Sequence, residues 1–254
     1  MLHQHVSGSG PAHVFLHGWG MHSGVWQALI EPLTATKHVA LLDLPGHGHS
    51  AMCADYSLEN LAHAVEQSLP TTPVTLVGWS LGGMVALMLA LTSPARVRQL
   101  ILVGTSPQFV ADNHWPHAMS AATLCAFAEQ LRENHRATLE RFLALQVMGC
   151  PDGRRTLTQL KAALSAAPTP DPQALTQGLA ILRERSLLSQ LGDVHVPVTI
   201  IHGERDTLVP LAGAKAMAAR LQNARLHILR GAGHAPFISH AEQFRSLLEA
   251  GFDD

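Results

Sequence analysis

The sequence has few of the residues that mark several common protein classes. Among its 254 residues are only three cysteines, Cys53, Cys125 and Cys150, which are widely separated and show no C-x-x-C spacing. This pattern favours neither a disulfide framework nor a zinc site. Only 14% of the residues are charged, and the formal net charge is −2. That near-neutral balance argues against a general nucleic-acid-binding protein.

Long apolar segments are also lacking. No apolar run approaches the roughly 20 residues that a membrane-spanning helix needs, and residues 1–5 show no signal-peptide pattern. We therefore expect a cytoplasmic protein without a membrane partner. The 17 histidines are dispersed and no H-E-x-x-H spacing occurs. The sequence accordingly predicts no metal and no cofactor.

Apolar residues are abundant, at 47% of the chain, which is enough for a large core. Short apolar runs alternate with helical patterns along much of the sequence. They lie at residues 13–17, 39–43, 74–79, 99–103, 196–203 and 224–229. This alternation predicts an α/β fold, with a mostly parallel central sheet and helices on both faces. The pattern at residues 25–33 predicts a single first helix, and any antiparallel strands before residue 13 should be small.

The alternation stops between about residues 109 and 188. Helical segments follow one another there, separated by prolines, near residues 121–133, 135–148, 154–166 and 173–183. We predict a helical cap, or lid, at residues 108–188. It would be inserted into a core formed by residues 1–107 and 189–254.

A G-x-S-x-G motif with Ser80 at its centre joins an apolar strand pattern to an apolar helix pattern. This context is typical of a nucleophile elbow, a tight turn that exposes the serine hydroxyl at the end of a strand. The helix N-terminus behind the serine favours developing negative charge. The alternative is an ordinary glycine-rich turn between a strand and a helix.

A serine nucleophile needs a general base, and the base needs an orienting acid. Asp206 and His234 follow later strand patterns, in the order Ser, Asp, His that α/β-hydrolases use. Glu204 is a weaker rival to Asp206. Alternatively, Asp206 caps the next helix and His234 is one more histidine among many. No carboxylate follows the strand that ends at Val103, which favours Asp206.

Two backbone amides are candidates for an oxyanion hole. Leu81 follows the nucleophile, and Trp19 lies in the glycine-rich turn of residues 17–20. That turn could instead serve only to bend the chain. Asp43, at the end of another strand pattern, is assigned a structural role because such a residue more often binds loop amides.

The predicted cap carries an apolar stripe and a basic segment. Leu139, Phe142, Leu143 and Gln146 share one helical face, which is either the cap's own core or a substrate wall. Residues 136–161 contain five basic residues but only two acidic ones, Glu140 and Asp152. The basic residues form either a solvated face or a docking surface for an acidic partner. They are Arg136, Arg141, Arg154, Arg155 and Lys161.

Several motifs together resemble the α/β-hydrolases. They are H-G-W-G at residues 17–20, D-L-P-G-H-G-H-S at 43–50, V-G-W-S-L-G-G at 77–83 and G-A-G-H-A-P-F-I-S-H at 231–240. With E-R-F-L-A-L-Q at residues 140–146, followed by Met148 and Gly149, the match is closer. Over nearly the whole chain the sequence resembles the esterases that demethylate pimeloyl-[acyl-carrier protein] methyl ester in biotin biosynthesis.

The resemblance implies a monomeric, cytoplasmic serine carboxylesterase that needs no cofactor. Ser80 would be the nucleophile, Asp206 the acid and His234 the base. Substrate contacts are implied at Trp19, Ser80, Leu81, Phe142, Leu143, Ala144, Leu145, Gln146 and His234.

The implied partner is an acyl-carrier protein bearing a pimeloyl methyl ester. Arg141 and Arg154 fall on cap positions that engage the carrier in this family. Two other basic positions are Ala137 and Thr158 in this sequence, although Arg136, Arg155 and Lys161 lie close by. Two alternatives stay open: a broad-specificity short-acyl carboxylesterase or thioesterase, and a small-molecule receptor with little turnover.

Overall fold

A seven-stranded β-sheet forms the centre of the computed structural model, which describes residues 1–252. Its strands are β1 (Gln4–Ser7), β2 (Ala12–Leu16), β3 (His38–Leu42), β4 (Val74–Trp79), β5 (Val97–Val103), β6 (Val198–Gly203) and β7 (Ala224–Leu229). Their spatial order is β1-β3-β2-β4-β5-β6-β7. β1 runs antiparallel to β3, and the other described neighbours are parallel. The predicted α/β class with a mostly parallel sheet is confirmed.

Helices cover both faces of the sheet. Those outside the predicted cap are α1 (Gln27–Ile30), α2 (Leu58–Glu66), α3 (Leu81–Thr92), α8 (Leu211–Ala218), α9 (Pro236–Ser239) and α10 (Ala241–Phe252). Successive strand residues point to opposite faces, so a buried strand contributes to two apolar clusters. Leu76 belongs to the cluster that contains α2 and α3, whereas its neighbour Val77 belongs to the cluster that contains Phe244 of α10.

Four helices lie between β5 and β6, in the region where the sequence predicts the cap. They are α4 (Ala121–Glu133), α5 (His135–Gln146), α6 (Gly153–Ser165) and α7 (Pro172–Glu184). Local sequence explains where three of them begin. The side chains of Ser120, Asn134 and Asp171 accept hydrogen bonds from first-turn amides of α4, α5 and α7.

One prediction about the first helix is wrong. The pattern at residues 25–33 predicts a single helix, but the structure has a 3-10 turn (Ser23–Trp26), the one-turn α1 and a second 3-10 turn (Glu31–Ala35). Pro32 explains the end of α1, because it has no amide hydrogen to donate to the carbonyl of residue 28 in an α-helical bond. The leading antiparallel strand is short, as the sequence predicts. None of the helices within residues 1–252 combines the length and apolar character needed to cross a membrane.

Candidate active site

Ser80 occupies a strained turn between β4 and α3. Its φ and ψ angles are 55° and −119°, and within residues 1–252 it is the only non-glycine residue with positive φ. Such a conformation costs about 1–3 kcal/mol and persists only where surrounding contacts hold it. Here the Ser80 amide donates to the carbonyl of Val103 at 2.9 Å, and the Thr105 hydroxyl donates to the Ser80 carbonyl at 2.7 Å.

The two glycines of the G-x-S-x-G motif, Gly78 and Gly82, are required for steric reasons. A Cβ atom on Gly82 would lie 2.5 Å from the carbonyl oxygen of His17, and one on Gly78 would lie 2.5 Å from the carbonyl oxygen of Gly82. Both distances are too short for any side chain. Glycine at these positions therefore lets the start of α3 approach the end of β2, as a nucleophile elbow requires.

The two candidate oxyanion amides lie near this turn. Leu81 is the first residue of α3, so its amide has no partner inside the helix. Among the described residues, neither Leu81 nor Trp19 donates its amide to a backbone carbonyl. The turn that contains Trp19 packs on the elbow, since a Cβ atom on Gly18 would lie 3.2 Å from the Cβ atom of Ser80. Both amides can therefore serve a ligand.

Asp206 and His234 form a buried acid–base pair, although 28 residues separate them. Asp206 follows β6 and His234 follows β7, and their Oδ2 and Nδ1 atoms are 2.8 Å apart. The other carboxylate oxygen accepts the amides of Leu208 and Val209, each at 2.9 Å. Burial alone would raise the pKa of Asp206, but its interactions with His234, His202 and the Val209 amide together outweigh burial and lower that pKa. The carboxylate is therefore ionised at neutral pH.

The histidine and the serine share one neighbourhood without a direct hydrogen bond. The indole nitrogen of Trp79, just before Ser80, donates to the carbonyl of His234 at 2.8 Å. A Cβ atom on Gly104, just after the Val103 that binds Ser80, would lie 2.9 Å from the same carbonyl. Nε2 of His234 is buried and has no hydrogen-bond partner among residues 1–252. In unliganded sites such bonds are often long and tighten when substrate binds.

Sequence reasoning missed two supporting residues. Thr105, two residues after the end of β5, holds the elbow by donating its hydroxyl to the Ser80 carbonyl. His202 is buried at the end of β6, with Nε2 at 2.8 Å from the carbonyl of Val209 and 3.7 Å from Oδ2 of Asp206. Burial lowers the pKa of His202, so this ring is neutral beside Asp206. The position of each residue at a strand end was the available signal.

The predicted substrate contacts on the cap have different environments. Phe142, Leu143 and Gln146 are buried, Leu145 is half-buried, and the Ala144 side chain is exposed on the outer face of α5. Phe142 packs edge-on against Trp19, with ring centroids 4.9 Å apart. The Trp19 indole donates to the carbonyl of Leu175 in α7 at 2.9 Å. Trp19 thus links the candidate oxyanion turn to the cap.

The predicted docking residues divide into two groups. Arg136 and Lys161 both pair with Glu140, at 3.4 and 3.1 Å. Arg154 and Arg155 are exposed at the start of α6 and form no ion pair with any described residue. Arg141 is exposed too, and its guanidinium lies 5.8 Å from the centre of the Phe127 ring. The unpaired positive charge is therefore concentrated on Arg141, Arg154 and Arg155.

Known proteins resemble this chain over nearly its whole length. A family model described as the α/β hydrolase fold matches residues 11–241. A pimeloyl-[acyl-carrier protein] methyl ester esterase from Nitrosomonas europaea is 43% identical over 249 residues, with 98% of each chain covered. Proteins of the same name from Vibrio atlanticus and Methylococcus capsulatus are 41% and 42% identical. They cover 97% and 96% of this chain, and 96% and 95% of their own lengths are matched.

Solved structures show the same architecture. An esterase from Exiguobacterium antarcticum superimposes with a TM-score of 0.91 at 25% identity, covering 100% of this chain and 96% of that one. A bromoperoxidase from Bacillus anthracis has a TM-score of 0.87 at 22% identity, covering 99% and 95%, and supports the fold alone. The chain therefore belongs to the α/β-hydrolase superfamily and, within it, to the family of pimeloyl-[acyl-carrier protein] methyl ester esterases.

Proposed function

We propose that this esterase hydrolyses pimeloyl-[acyl-carrier protein] methyl ester to the free pimeloyl-carrier and methanol, in biotin biosynthesis. The observation that carries the proposal is the buried Asp206–His234 pair beside a strained Ser80. It occurs in a chain that matches esterases of this name over nearly its full length. We further propose that the enzyme acts as a monomer in the cytoplasm.

In the first half of the reaction, Nε2 of His234 accepts the Ser80 proton while Oγ attacks the ester carbonyl carbon. The oxyanion that forms accepts hydrogen bonds from the amides of Trp19 and Leu81. Because the remaining Nδ1 is bonded to Asp206, the proton can be accepted only at Nε2. Methanol then leaves with that proton, and an acyl-enzyme remains on Ser80.

In the second half, water takes the place of methanol. His234 removes its proton, the hydroxide oxygen attacks the acyl carbon, and Ser80 leaves with the proton from Nε2. Asp206 holds His234 in the tautomer that leaves Nε2 unprotonated and stabilises the imidazolium in each half. The low pKa of Asp206 suits this role, because the carboxylate stays charged throughout.

The acyl chain is proposed to bind between cap and core. Trp19 and Phe142 are in contact across this boundary, and both are buried and apolar. Leu143 and Gln146 are also buried, and Leu145 is half-buried. These three side chains are proposed to contact the acyl chain as well. The carrier protein itself would contact the exposed arginines Arg141, Arg154 and Arg155, because their positive charge would attract an acidic surface on the carrier.

The direct test is a mass-spectrometric assay of pimeloyl-carrier methyl ester with the wild-type enzyme, Ser80→Ala and Ser246→Ala. Ser246 is exposed on α10 and serves as the matched control. We expect multiple turnovers with the wild type and Ser246→Ala. Ser80→Ala should lose at least about a thousandfold in rate, because the nucleophile is gone. Circular dichroism would check that it remains folded.

Three outcomes would contradict this proposal. Turnover by Ser80→Ala at the wild-type rate would remove the assigned nucleophile. Rapid hydrolysis of short acyl esters or thioesters without demethylation of the carrier ester would favour a broad-specificity enzyme. Labelling of Ser80 by a phosphonate ester without multiple turnovers on any ester would favour a receptor.

A further inference from the structure

The C-terminal end of α5 is bonded directly to two loops. They are the acid loop, residues 204–210, which contains Asp206, and the base loop, residues 230–235, which contains His234. The Thr207 hydroxyl donates to the carbonyl of Leu145 at 2.9 Å. The amide of His234 donates to the carbonyl of Gln146 at 3.0 Å. Arg205 donates from Nη1 to the carbonyl of Gly149 at 2.6 Å. The two donor side chains come from the residues on either side of Asp206.

The two loops are also bonded to each other. The amides of Glu204 and Arg205 donate to the carbonyls of Leu229 and Ala232, at 3.0 and 2.8 Å. The amide of Gly231 donates to the Glu204 carboxylate at 2.9 Å. The acid loop, the base loop and the end of α5 therefore form one hydrogen-bonded unit.

Close packing reinforces this unit. A Cβ atom on Gly233 would lie 2.5 Å from the carbonyl oxygen of Gln146 and 2.7 Å from Sγ of Cys150. Position 233 of the base loop therefore lies too close to residues 146 and 150 for any residue other than glycine. Any movement of residues 145–150 away from the core would act directly on the residue before His234.

The hydrogen bonds have a second physical consequence. The last four carbonyls of a helix have no partners within the helix. At the end of α5 the Gln146 carbonyl accepts the amide of His234, and the Leu145 carbonyl accepts the Thr207 hydroxyl in addition to the amide of Met148. The position of His234 relative to Asp206 therefore depends on where α5 ends.

We propose that Arg205 and Thr207 are positioning residues for ester hydrolysis. They hold the end of α5 against the acid and base loops, so that His234 keeps its bond to Asp206 while its Nε2 atom serves Ser80. This inference rests on the proposed function, because it assumes that these three residues perform the chemistry. It adds that two exposed side chains, which touch no reacting atom, set the rate of the chemical step.

The test uses Thr207→Val and Arg205→Met, which remove the donors but keep similar size, together with Thr207→Ser and Arg205→Lys, which keep a donor. Thr176→Val is the matched control, because the Thr176 hydroxyl is exposed and donates only to its own helix, at the carbonyl of Pro172. The substrate is p-nitrophenyl acetate, which has no carrier, and kcat and KM are measured separately.

We expect kcat to fall about fivefold in Thr207→Val and in Arg205→Met, with KM changed by less than about twofold. Thr207→Ser, Arg205→Lys and Thr176→Val should keep kcat within about twofold of the wild type. The melting temperature should change by less than about 3 °C, since each lost bond is at the surface. A merely structural role would lower the melting temperature without lowering kcat.

The proposal is overturned if kcat of the Thr207→Val and Arg205→Met variants equals that of the wild type. It is also overturned if the loss appears only as a higher KM for p-nitrophenyl acetate, because the two side chains would then affect ester binding and not the chemical step. Ser80→Ala, assayed alongside, separates this failure from failure of the proposed function. If Ser80→Ala abolishes turnover while the other variants are unaffected, only the positioning role is lost.

Discussion

His17 and His47 are buried side by side, with ring centroids 5.2 Å apart. Nε2 of His17 accepts the amide of Leu44 at 2.9 Å, so its proton lies on Nδ1, which donates to the carbonyl of Gly18. Nδ1 of His47 donates to the carbonyl of Pro45 at 3.0 Å, and no solvent reaches either ring. Burial lowers the pKa of His17 to about 3 and that of His47 to about 4.

Because these two rings stay neutral in the folded chain, we predict that the protein loses stability in mild acid. Below pH 6.5 the unfolded chain binds protons at His17 and His47, whereas the folded chain does not until about pH 4 at His47. The unfolded state then binds more protons, so the free energy of unfolding rises with pH in this window and falls as pH drops through it. Urea unfolding at several pH values would measure the slope.

The variant His47→Gln isolates the contribution of the His47 ring to the pH dependence of the free energy of unfolding. Glutamine can still donate to the carbonyl of Pro45 but takes up no proton. Its free energy of unfolding should therefore depend less steeply on pH between 6.5 and about 4. A slope equal to that of the wild type, or a stability that does not change with pH, would contradict this account.

At the scale of the element, α5 connects the cap to the site. One face contains the buried residues Leu139, Phe142, Leu143 and Gln146, and the exposed face contains Arg136 and Ala144. The Phe142 ring lies between two others, with centroids 4.9 Å from Trp19 and 5.6 Å from Phe127. The helix is therefore held by aromatic packing at its middle and by hydrogen bonds at its end.

Replacing Phe142 by alanine should lower the free energy of unfolding by about 3–5 kcal/mol, because the buried ring leaves a cavity between α4, α5 and the Trp19 turn. Urea unfolding would measure the loss. Ala144→Ser, on the exposed face of the same helix, is the matched control and should change stability by less than about 0.5 kcal/mol. Equal losses in both variants would show that this face does not anchor the cap.

At the scale of the whole molecule, the positive charges of the predicted cap fall into a group paired with Glu140 and a group without an acidic partner among the described residues. Glu140 pairs with both Arg136 and Lys161 and offsets one of their two positive charges. Arg141, Arg154 and Arg155 keep their charge at the surface. An acidic carrier would therefore be attracted to the start of α6 more than to the Glu140 cluster.

The double substitution Arg154→Glu and Arg155→Glu should lower kcat/KM for the carrier substrate about tenfold and leave p-nitrophenyl acetate turnover unchanged. Raising the salt concentration from about 0.05 to 0.5 M should also lower the wild-type value for the carrier substrate, because the attraction is screened. Lys215→Glu, at an exposed position of α8, is the control for a change of charge alone. Equal losses on both substrates would contradict a docking role.

Much of the fold followed from local sequence patterns. The six strand patterns predicted from the sequence all appear as strands, and the start of each cap helix lies within one residue of its predicted position. These features depend on apolar periodicity, capping residues and prolines, which act over a few residues. The prediction failed at residues 25–33. The apolar pattern there indicates one helix, but Pro32 ends the α-helical bonding within it.

The sequence alone determined the α/β class and the glycine–serine–glycine turn, because each is encoded in a short continuous segment. It also determined the order in which Ser80, Asp206 and His234 occur. Tertiary structure decided which side chains meet: Asp206 with His234, Thr105 with the Ser80 carbonyl, and Arg205 with the end of α5. These contacts join residues 25 to 56 positions apart. Their distances depend on how strands and helices pack, which no local pattern specifies.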